Sequence, residues 1–337
     1  MMNEQTQYAT PNEQELVLIA RRLKREKGVS WTKMPNALFE ETGVLLPTHK
    51  IRDMVRAYEQ RTGVKTKKER SLALMISDVH VGKKTSSFNY SKLKERITYM
   101  FDQLIEEAKD MRRKVVISDI NICFIGDIID NDSLYPTQPH HVDHEEAPHA
   151  TEQIDKASIF FENEIRRVQK ALKTKIIIHA VKGNHGRISK FTNEGNNYDI
   201  MFYNNLDRAF REHKQIECNI SHDFYCMANI QNHHFLLNHG NGIKMYQNIP
   251  WYGLVQRAMR WSGSLSLNFD YVVVGHFHTS GEQVWNDKVI YMNGTAVTDD
   301  SFGLEVLGLS ASNKFWLFGV EKDAGICYQH KIDLSEV

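Results

Sequence analysis

Side chains that bind metal ions occur in five short clusters of this sequence, and each cluster directly follows an apolar run. The clusters are Asp78-Val79-His80 after LALMIS, Gly126-Asp127-Ile128-Ile129-Asp130 after NICFI, Gly183-Asn184-His185 after KIIIHAVK, His239 after HHFLLN, and Gly275-His276-Phe277-His278 after DYVVV. Open α/β sheets bind ligands beyond the carboxyl ends of their strands, so strands that end in these clusters would direct them into one crevice. Imidazoles with carboxylates favour manganese, iron or zinc over magnesium and calcium. The pattern therefore predicts a transition-metal site.

Each cluster alone is weak evidence. Motifs such as DxH or GNH occur by chance, and a single histidine is more often a hydrogen-bonded structural residue. Together, in the order DxH, GDxxD, GNH, H and GHxH, the clusters resemble the calcineurin-like metallophosphoesterase superfamily over residues 72 to 300. The resemblance implies an enzyme that hydrolyses phosphate esters with two metal ions.

The resemblance also implies a role for each ligand. The seven ligands divide into Asp78, His80 and His278 on one ion, Asn184, His239 and His276 on the other, and Asp127 bridging both. Two ions about 3.5 to 4 Å apart acidify the water between them, so a bridging hydroxide is the expected nucleophile. The expected cofactors are two divalent transition-metal ions, manganese first, with iron, zinc or nickel as alternatives.

His185 is the expected general acid. It follows the ligand Asn184 and matches the family histidine that donates a proton to the leaving-group oxygen. The carboxylate that commonly follows GNH and can orient this histidine is missing, because position 186 is glycine. Asp130 is therefore expected to orient His185, both by resemblance and because histidines at metal sites usually donate their second N–H to a carboxylate or carbonyl.

The third cluster continues as GNHGR, which places Arg187 beside the expected acid. GNHGR resembles a variant of phage-encoded and bacterial members, in which a tyrosine and a glutamine follow the bridging aspartate, as Tyr135 and Gln138 do here. A phage origin is the corresponding expectation. Arg187 is expected to bind phosphate oxygens in a bidentate manner, and its alternative is an ordinary surface arginine.

The catalytic domain is expected to span residues 72–337. From Leu72 onward, apolar runs alternate with helical stretches around 91–110 and 152–172, which is typical of an α/β domain. Later segments indicate a second sheet, and they lie around 223–238, 270–275, 283–292, 314–320 and 325–333. The resemblance implies a four-layered α/β/β/α sandwich for this domain.

A polar segment at 131–151 interrupts this pattern. It is broken by prolines and contains four histidines, His140, His141, His144 and His149. A loop of this length is usually a functional lid or disordered. The histidines could hold a stray metal ion, but a solvated loop near the cleft is favoured. No catalytic role is expected for four histidines outside this loop: His179, His222, His233 and His234.

Residues 1–62 are expected to form a small all-α module that resembles a helix-turn-helix, joined by a basic linker at 63–71. The first helix stops at Gly28, and Ser30 or Thr32 would cap the second helix. Gly43 would close that helix, and Thr48 would cap the third.

The third helix of this module carries polar residues that could face a DNA groove and its phosphates: Thr48, His49, Lys50, Arg52 and Arg56. The first 70 residues contain 14 Lys and Arg against 9 Asp and Glu, whereas the whole chain has 42 of each. A basic head on an acidic body is a hint of polyanion binding. The open alternative is a helical module that binds protein or packs on the catalytic domain.

Composition places the chain among ordinary globular proteins, because 41% of its 337 residues are hydrophobic and 25% are charged. The four cysteines lie far apart without a CxxC pair, which excludes a disulfide framework or a zinc ribbon. No apolar run approaches the roughly 18 residues of a membrane span. The N-terminus also lacks the apolar core of a signal peptide, so the cytoplasm is the expected location and no membrane partner is expected.

The sequence thus predicts a two-metal phosphoesterase that hydrolyses phosphodiester bonds, with nucleic acid as its substrate and partner. One alternative is a phosphomonoesterase that acts on proteins or small molecules. Another is a DNA-bound adaptor that uses the fold as an interaction surface, and the intact ligand set argues against it. The sequence does not specify exo or endo action or the oligomeric state.

Overall fold

The computed structural model describes residues 11–62, 68–136, 138–189, 191–193, 195–247, 249–265, 268–299 and 311–337. The chain divides into two compact units, Met1–Lys67 and Lys68–Val337. Most of the expected linker, residues 63–67, lies outside the described residues. Its last three residues are strand instead of linker, because Glu69 and Arg70 pair with Val116 and Ile117 inside a six-stranded sheet.

The smaller unit contains three helices, as the sequence predicts. They are α1 (Glu13–Glu26), α2 (Met34–Thr42) and α3 (Thr48–Thr62). Their apolar stripes share one core, which is formed by Leu16, Val17, Ala20, Leu23, Met34, Leu38, Ile51 and Val55. Each helix is too short to be stable alone, so this shared core stabilises all three.

The helix ends only partly match the predictions. Gly43 ends α2 in the left-handed conformation with φ of 69°, which confirms its predicted role. The predicted cap at Ser30 or Thr32 is wrong, since α2 begins at Met34 without a side-chain cap and the two hydroxyl groups bond each other at 2.9 Å. Thr48 is the first helical residue of α3 and does not precede the helix as a cap would.

The larger unit contains both helices and strands. Its helices are α4 (Tyr90–Met111), α5 (Ala150–Leu172), α6 (Tyr198–Phe210) and α7 (Pro250–Ser264), with a short 3-10 helix at Gln138–His141. Its strands are β1 (Glu69–Ile76), β2 (Val116–Ile125), β3 (Lys175–Val181), β4 (Ile216–Ile220), β5 (Cys226–Ile230), β6 (His233–Asn238), β7 (Tyr271–Val274), β8 (Gly281–Trp285), β9 (Lys288–Met292), β10 (Lys314–Glu321) and β11 (Gly325–Asp333).

These strands form two sheets. The first has the order β11-β10-β1-β2-β3-β4 and the second has the order β5-β6-β7-β9-β8. Strands β1 to β4 run parallel to one another, and so do β6, β7 and β9. Parallel neighbours end at the same edge of a sheet, so the loops that follow β1, β2 and β3 emerge together, as do those that follow β6 and β7.

The alternation of side chains along β1 shows how the layers stack. Leu72, Leu74 and Ile76 belong to the core shared with α4, α5 and α6, whereas Ala73 and Met75 point into the core between the two sheets. Helix α7 covers the outer face of the second sheet. The order of layers is helices, sheet, sheet, helix, which confirms the predicted four-layered α/β/β/α sandwich. No helix among the described residues is both long and apolar enough to cross a membrane.

Candidate metal centre

The ends of five strands bring the predicted ligands together. The loops after β1, β2, β3, β6 and β7 carry Asp78 and His80, Asp127, Asn184, His239, and His276 and His278, respectively. Two groups of metal-binding atoms result, each with its atoms within 4.8 Å of one another: Asp78, His80 and His278 in the first, and Asp127, His239 and His276 in the second. The first group has the members that the resemblance implies for one ion, and the second joins Asp127, the expected bridge, to His239 and His276.

The first group converges through its ring nitrogens. The Nε2 atoms of His80 and His278 lie 3.2 Å apart, and His278 Nε2 lies 3.4 Å from Asp78 Oδ1. The other nitrogen of His80, Nδ1, lies 2.8 Å from the carboxylate of Asp130. Because that hydrogen bond holds the proton on Nδ1, Nε2 carries the lone pair that a metal ion needs.

The second group is organised around His239. Its Nε2 atom lies 2.9 Å from Asp127 Oδ2 and 3.1 Å from Asn184 Oδ1. Its Nδ1 atom donates to the carbonyl of Ile125 at 2.8 Å, so in the neutral ring Nε2 carries the lone pair that a metal ion would need. The rings of His239 and His276 are 5.1 Å apart between centroids.

Hydrogen bonds link the two groups. Both oxygens of Asp78 accept the backbone N–H of His276, at 3.0 and 2.9 Å. Asp127 Oδ1 accepts the backbone N–H of His185 at 2.7 Å, so the two oxygens of this carboxylate face different neighbours. A ligand of one group thereby positions the loop that carries a ligand of the other.

The electrostatics of the centre favour cations. Burial acts against a charged carboxylate, yet His278 lowers the pKa of Asp78 and His239 lowers that of Asp127, so both remain ionised. Burial acts against protonation of His239, but the charge of Asp127 raises its pKa to about 9. For His276, burial and the neighbouring His239 lower the pKa to about 4. The field that attracts a proton to His239 equally attracts a metal ion.

Backbone strain concentrates at these positions. Five candidate ligands have φ angles in the left-handed region, with values of 50° for Asp78, 52° for His80, 51° for Asp127, 69° for His276 and 52° for His278. Such a conformation costs a non-glycine residue of order 1 kcal/mol or more, and it persists only where the surrounding structure enforces it. Strain at five positions of one cluster indicates a functional site and not a packing accident.

His185 lies beside the first group, and its ring centroid is 4.6 Å from that of His80. Its Nδ1 atom lies 3.2 Å from Asp130 Oδ1, the oxygen that also binds His80. Burial acts against protonation, but Asp127 and then Asp130 raise the pKa of His185 above its ordinary value. The three residues His80, Asp130 and His185 also satisfy the geometry of a metal group. Because both Nδ1 atoms bond the same carboxylate oxygen, that geometry is explained by hydrogen bonding.

Arg187 is held against the centre by two contacts. Its Nε atom donates to the carbonyl of Asn184 at 3.1 Å, and Nη2 donates to the hydroxyl of Tyr135 at 3.3 Å. The side-chain amide of Asn184 donates to the same hydroxyl at 3.0 Å. Gln138 binds the backbone N–H of Tyr135 at 3.1 Å and the carbonyl of Asp130, which closes the turn that presents Tyr135.

One residue that the sequence analysis missed lies directly under the ligands. Asp199, in the first turn of α6, is fully buried and accepts backbone N–H groups from the loops after β2 and β3. Burial, followed by the charge of Asp127, raises the pKa of Asp199 to about 6. No motif marks it, since it lies beyond the GNHGR segment in a stretch without apolar alternation.

The histidines of the loop at 131–151 do not join the centre. His140, His141, His144 and His149 are exposed, and within the described part of the chain none of them belongs to a candidate metal group. Much of the loop is ordered by backbone contacts, such as the bond from Asp143 N–H to the Gly82 carbonyl at 2.7 Å. The predicted solvent exposure of these histidines is confirmed.

The candidate DNA-binding residues lie on α3 of the smaller unit. His49, Lys50, Arg52 and Arg56 are exposed, and Thr48 is half-buried. His49, Arg52 and Arg56 follow the i, i+3, i+7 spacing and share one face, while Lys50 lies on another. The guanidinium of Arg52 stacks on the ring of Trp31 at 5.4 Å, which restricts its reach.

The described residues form two packed sheets with helices on both outer faces, and the clusters of Asp, Asn and His side chains follow the strand ends. Solved structures match 78% of this chain. They include Vacuolar Protein Sorting 29 from Cryptosporidium parvum (16% identity, 98% of that chain, TM-score 0.37), Vps29 from Entamoeba histolytica complexed with zinc (13%, 99%, 0.35) and a novel archaeal phosphodiesterase (13%, 99%, 0.34). Similarity this distant carries no argument about activity. No protein-family model and no curated protein match the chain.

Proposed function

We propose that the chain is a two-metal phosphoesterase that hydrolyses phosphodiester bonds in nucleic acid. The observation that carries the proposal is the convergence of imidazole, carboxylate and amide donors from five strand ends into two adjacent groups. This donor set suits manganese, iron, zinc or nickel. A pair of such ions, when bound, supplies an acidified water and neutralises charge on the phosphoryl group.

The two groups would each hold one ion. Asp78, His80 and His278 form the first set, and Asn184, His239 and His276 the second, with Asp127 shared between them. The position of Asp127 supports the sharing, because its Oδ2 atom lies 2.9 Å from Nε2 of His239 in the second set and its carboxylate interacts electrostatically with His80 in the first set. Its deep burial leaves the carboxylate with no water to compensate its charge, so cations are its natural partners.

His185 would protonate the leaving-group oxygen. The carboxylate of Asp130 accepts the proton of Nδ1 and so orients the opposite nitrogen, Nε2, away from Asp130. The raised pKa favours the protonated form of the ring, which an acid requires. The side chain is 24% exposed, whereas the neighbouring His80 and Asp130 are buried, so a substrate can reach it.

Arg187 would bind a phosphate oxygen pair with the end of its guanidinium. The contacts to Asn184 and Tyr135 occupy Nε and one N–H of Nη2. A guanidinium has five N–H donors, so Nη1 and the second N–H of Nη2 stay available for bidentate binding. The same two contacts fix the direction in which these donors point.

Nucleic acid is the proposed substrate because of the smaller unit. Its three-helix core, the positive net charge of the first 70 residues and the exposed arginines Arg52 and Arg56 support phosphate binding. Phosphate contacts of this kind would add affinity for a polymeric substrate without contributing to the chemistry.

The test is a panel of substrates for the manganese-loaded protein. Single- and double-stranded DNA, RNA, cyclic dinucleotides, bis(p-nitrophenyl) phosphate and p-nitrophenyl phosphate separate the reaction types. Turnover of diesters well above monoesters, with cleavage of a nucleic acid, supports the proposal. Preference for the monoester would assign a phosphomonoesterase, and no turnover with any metal would leave an adaptor.

A further inference from the structure

A buried aspartate outside the ligand motifs connects two of the loops that carry ligands. Asp199 Oδ2 accepts the backbone N–H of Asp127 at 3.0 Å and that of Gly183 at 2.8 Å. Its Oδ1 accepts those of Ile128 at 3.1 Å and Ile129 at 3.0 Å. One carboxylate therefore satisfies four buried donors that belong to the ends of both β2 and β3.

Further contacts join the start of α6 to the loop after β3, which carries Asn184. Asn197 Nδ2 donates to the carbonyl of Gly183 at 2.9 Å, and Asn197 Oδ1 accepts the backbone N–H of Asp199 at 2.8 Å. The backbone N–H of Tyr198 donates to the carbonyl of Gly186 at 2.6 Å. The loop that carries Asn184 is thus bound at both of its ends by three consecutive residues.

These contacts explain why the GNH motif continues with glycine in this chain. A Cβ atom on Gly186 would overlap Asn197 Oδ1 and would lie 3.0 Å from the backbone nitrogen of Asp199. A side chain at position 186 would have to displace the Asn197 amide, which binds both Gly183 and Asp199. The aspartate or glutamate of the commoner motif is therefore disfavoured here.

We propose that Asp199 is a positioning residue of the metal centre, which fixes the bridging Asp127 relative to the ligand Asn184. This inference rests on the two-metal assignment of the proposed function. Asp127 and Asn184 belong to different loops. The carboxylate of Asp199 accepts the backbone N–H of Asp127 in one loop and that of Gly183, the residue before Asn184, in the other. The strained φ of 51° at Asp127 is held from its own N–H and from the N–H groups of the next two residues.

Asp199→Asn tests this role, because the substitution preserves size and removes one acceptor oxygen. Whichever way the amide is turned, its NH₂ group faces two backbone N–H donors, and these lose their acceptor. Manganese binding is measured by equilibrium dialysis of the purified full chain against manganese chloride. Residues that support metal ligands typically contribute about 10- to 100-fold in affinity, so a loss of this size is expected at one or both sites.

Asp143→Asn is the matched control. Asp143 is also a buried aspartate that accepts backbone N–H groups, from Tyr90 at 3.1 Å, Glu145 at 3.3 Å and Glu146 at 3.2 Å. None of these donors belongs to a ligand loop. Both variants should lower the melting temperature, and only Asp199→Asn should weaken manganese binding.

The outcomes separate the two proposals. If the wild-type protein binds two manganese ions and Asp199→Asn binds them as tightly as Asp143→Asn does, the positioning role is wrong and the metal assignment stands. If the wild-type protein binds less than one ion per chain, the metal assignment fails and the positioning role fails with it.

A second pair of variants covers the case in which Asp199→Asn does not fold. Gly186→Ala leaves Asp199 and every candidate ligand unchanged, but its methyl group pushes on Asn197 at the start of α6. It should weaken manganese binding several-fold. The control, Gly263→Ala in α7, meets no atom within 4 Å and should bind manganese as the wild type does. Equal manganese affinities in these two variants would contradict the positioning role.

Discussion

Replacing His185 by alanine would separate proton donation from metal binding. His185 contributes no atom to either predicted ligand set, and its ring is bound to Asp130 and exposed on one side. A positioned general acid contributes about 10² to 10⁴ in rate, or about 3 to 5 kcal/mol of activation free energy. That contribution exists only when the leaving oxygen needs a proton. His185→Ala should therefore lose about 10² to 10⁴ in kcat on a dinucleotide, whose leaving group is an alkoxide.

The same variant should lose far less on bis(p-nitrophenyl) phosphate, because nitrophenolate leaves without protonation. The assay compares kcat on both substrates and measures bound manganese by elemental analysis. His144→Ala is the matched control, since His144 is an exposed histidine whose Nε2 atom bonds the carbonyl of Pro139 at 3.0 Å. It should change neither rate. Equal losses on both substrates, with manganese retained, would refute the acid role and assign His185 to the phosphoryl group.

Three further predictions concern the metal centre, the core and the smaller unit. Asp127→Asn or His239→Ala should reduce bound manganese below two ions per chain and abolish turnover, and full activity in either variant would rule out the two-metal mechanism. His179 is buried and its pKa is lowered to about 4 by burial, against 6.5 in the unfolded chain, so the unfolded state binds the proton first as the pH falls. His179 should then lower the free energy of unfolding by about 3 kcal/mol between pH 6.5 and 4, and in urea titrations the total change over this range should differ by that amount between His179→Gln and the wild type. Arg52→Ala with Arg56→Ala should weaken DNA binding and reduce the slope of log affinity against log salt by about one per lost phosphate contact, whereas an unchanged slope would assign the smaller unit to protein contacts.

The residues of the candidate metal centre were predictable because the signal is local. Asp78 and Asp127 lie two residues after the ends of β1 and β2, and His239 directly follows β6. An apolar run marks a buried strand, and the polar residues after it must lie at the end of that strand. The sandwich followed from the same alternation of strands and helices together with the family resemblance.

Helix boundaries were less predictable, since hydroxyl residues compete for them. Ser30 and Thr32 both have the side chain of a cap, but their hydroxyl groups bond each other and α2 begins at Met34. Glu69 and Arg70 lie in a charged stretch typical of a linker, and pairing with β2 makes them strand. A side-chain contact between near neighbours accompanies the first outcome, whereas a contact with a distant segment decided the second.

What the sequence determined by itself is the set of candidate ligands of the centre: their residue types, their order along the chain and their positions at strand ends. The tertiary structure alone decided how these ligands are held. Asp199 is separated by 72 residues from Asp127 and by 16 from Gly183, and only the packing of α6 beneath both loops brings its carboxylate to their N–H groups. Gly186 has the same explanation, because a Cβ atom at that position would overlap the side chain of Asn197. A contact between distant segments leaves no periodic pattern in the sequence, and so the support of the ligands was visible only once the chain was folded.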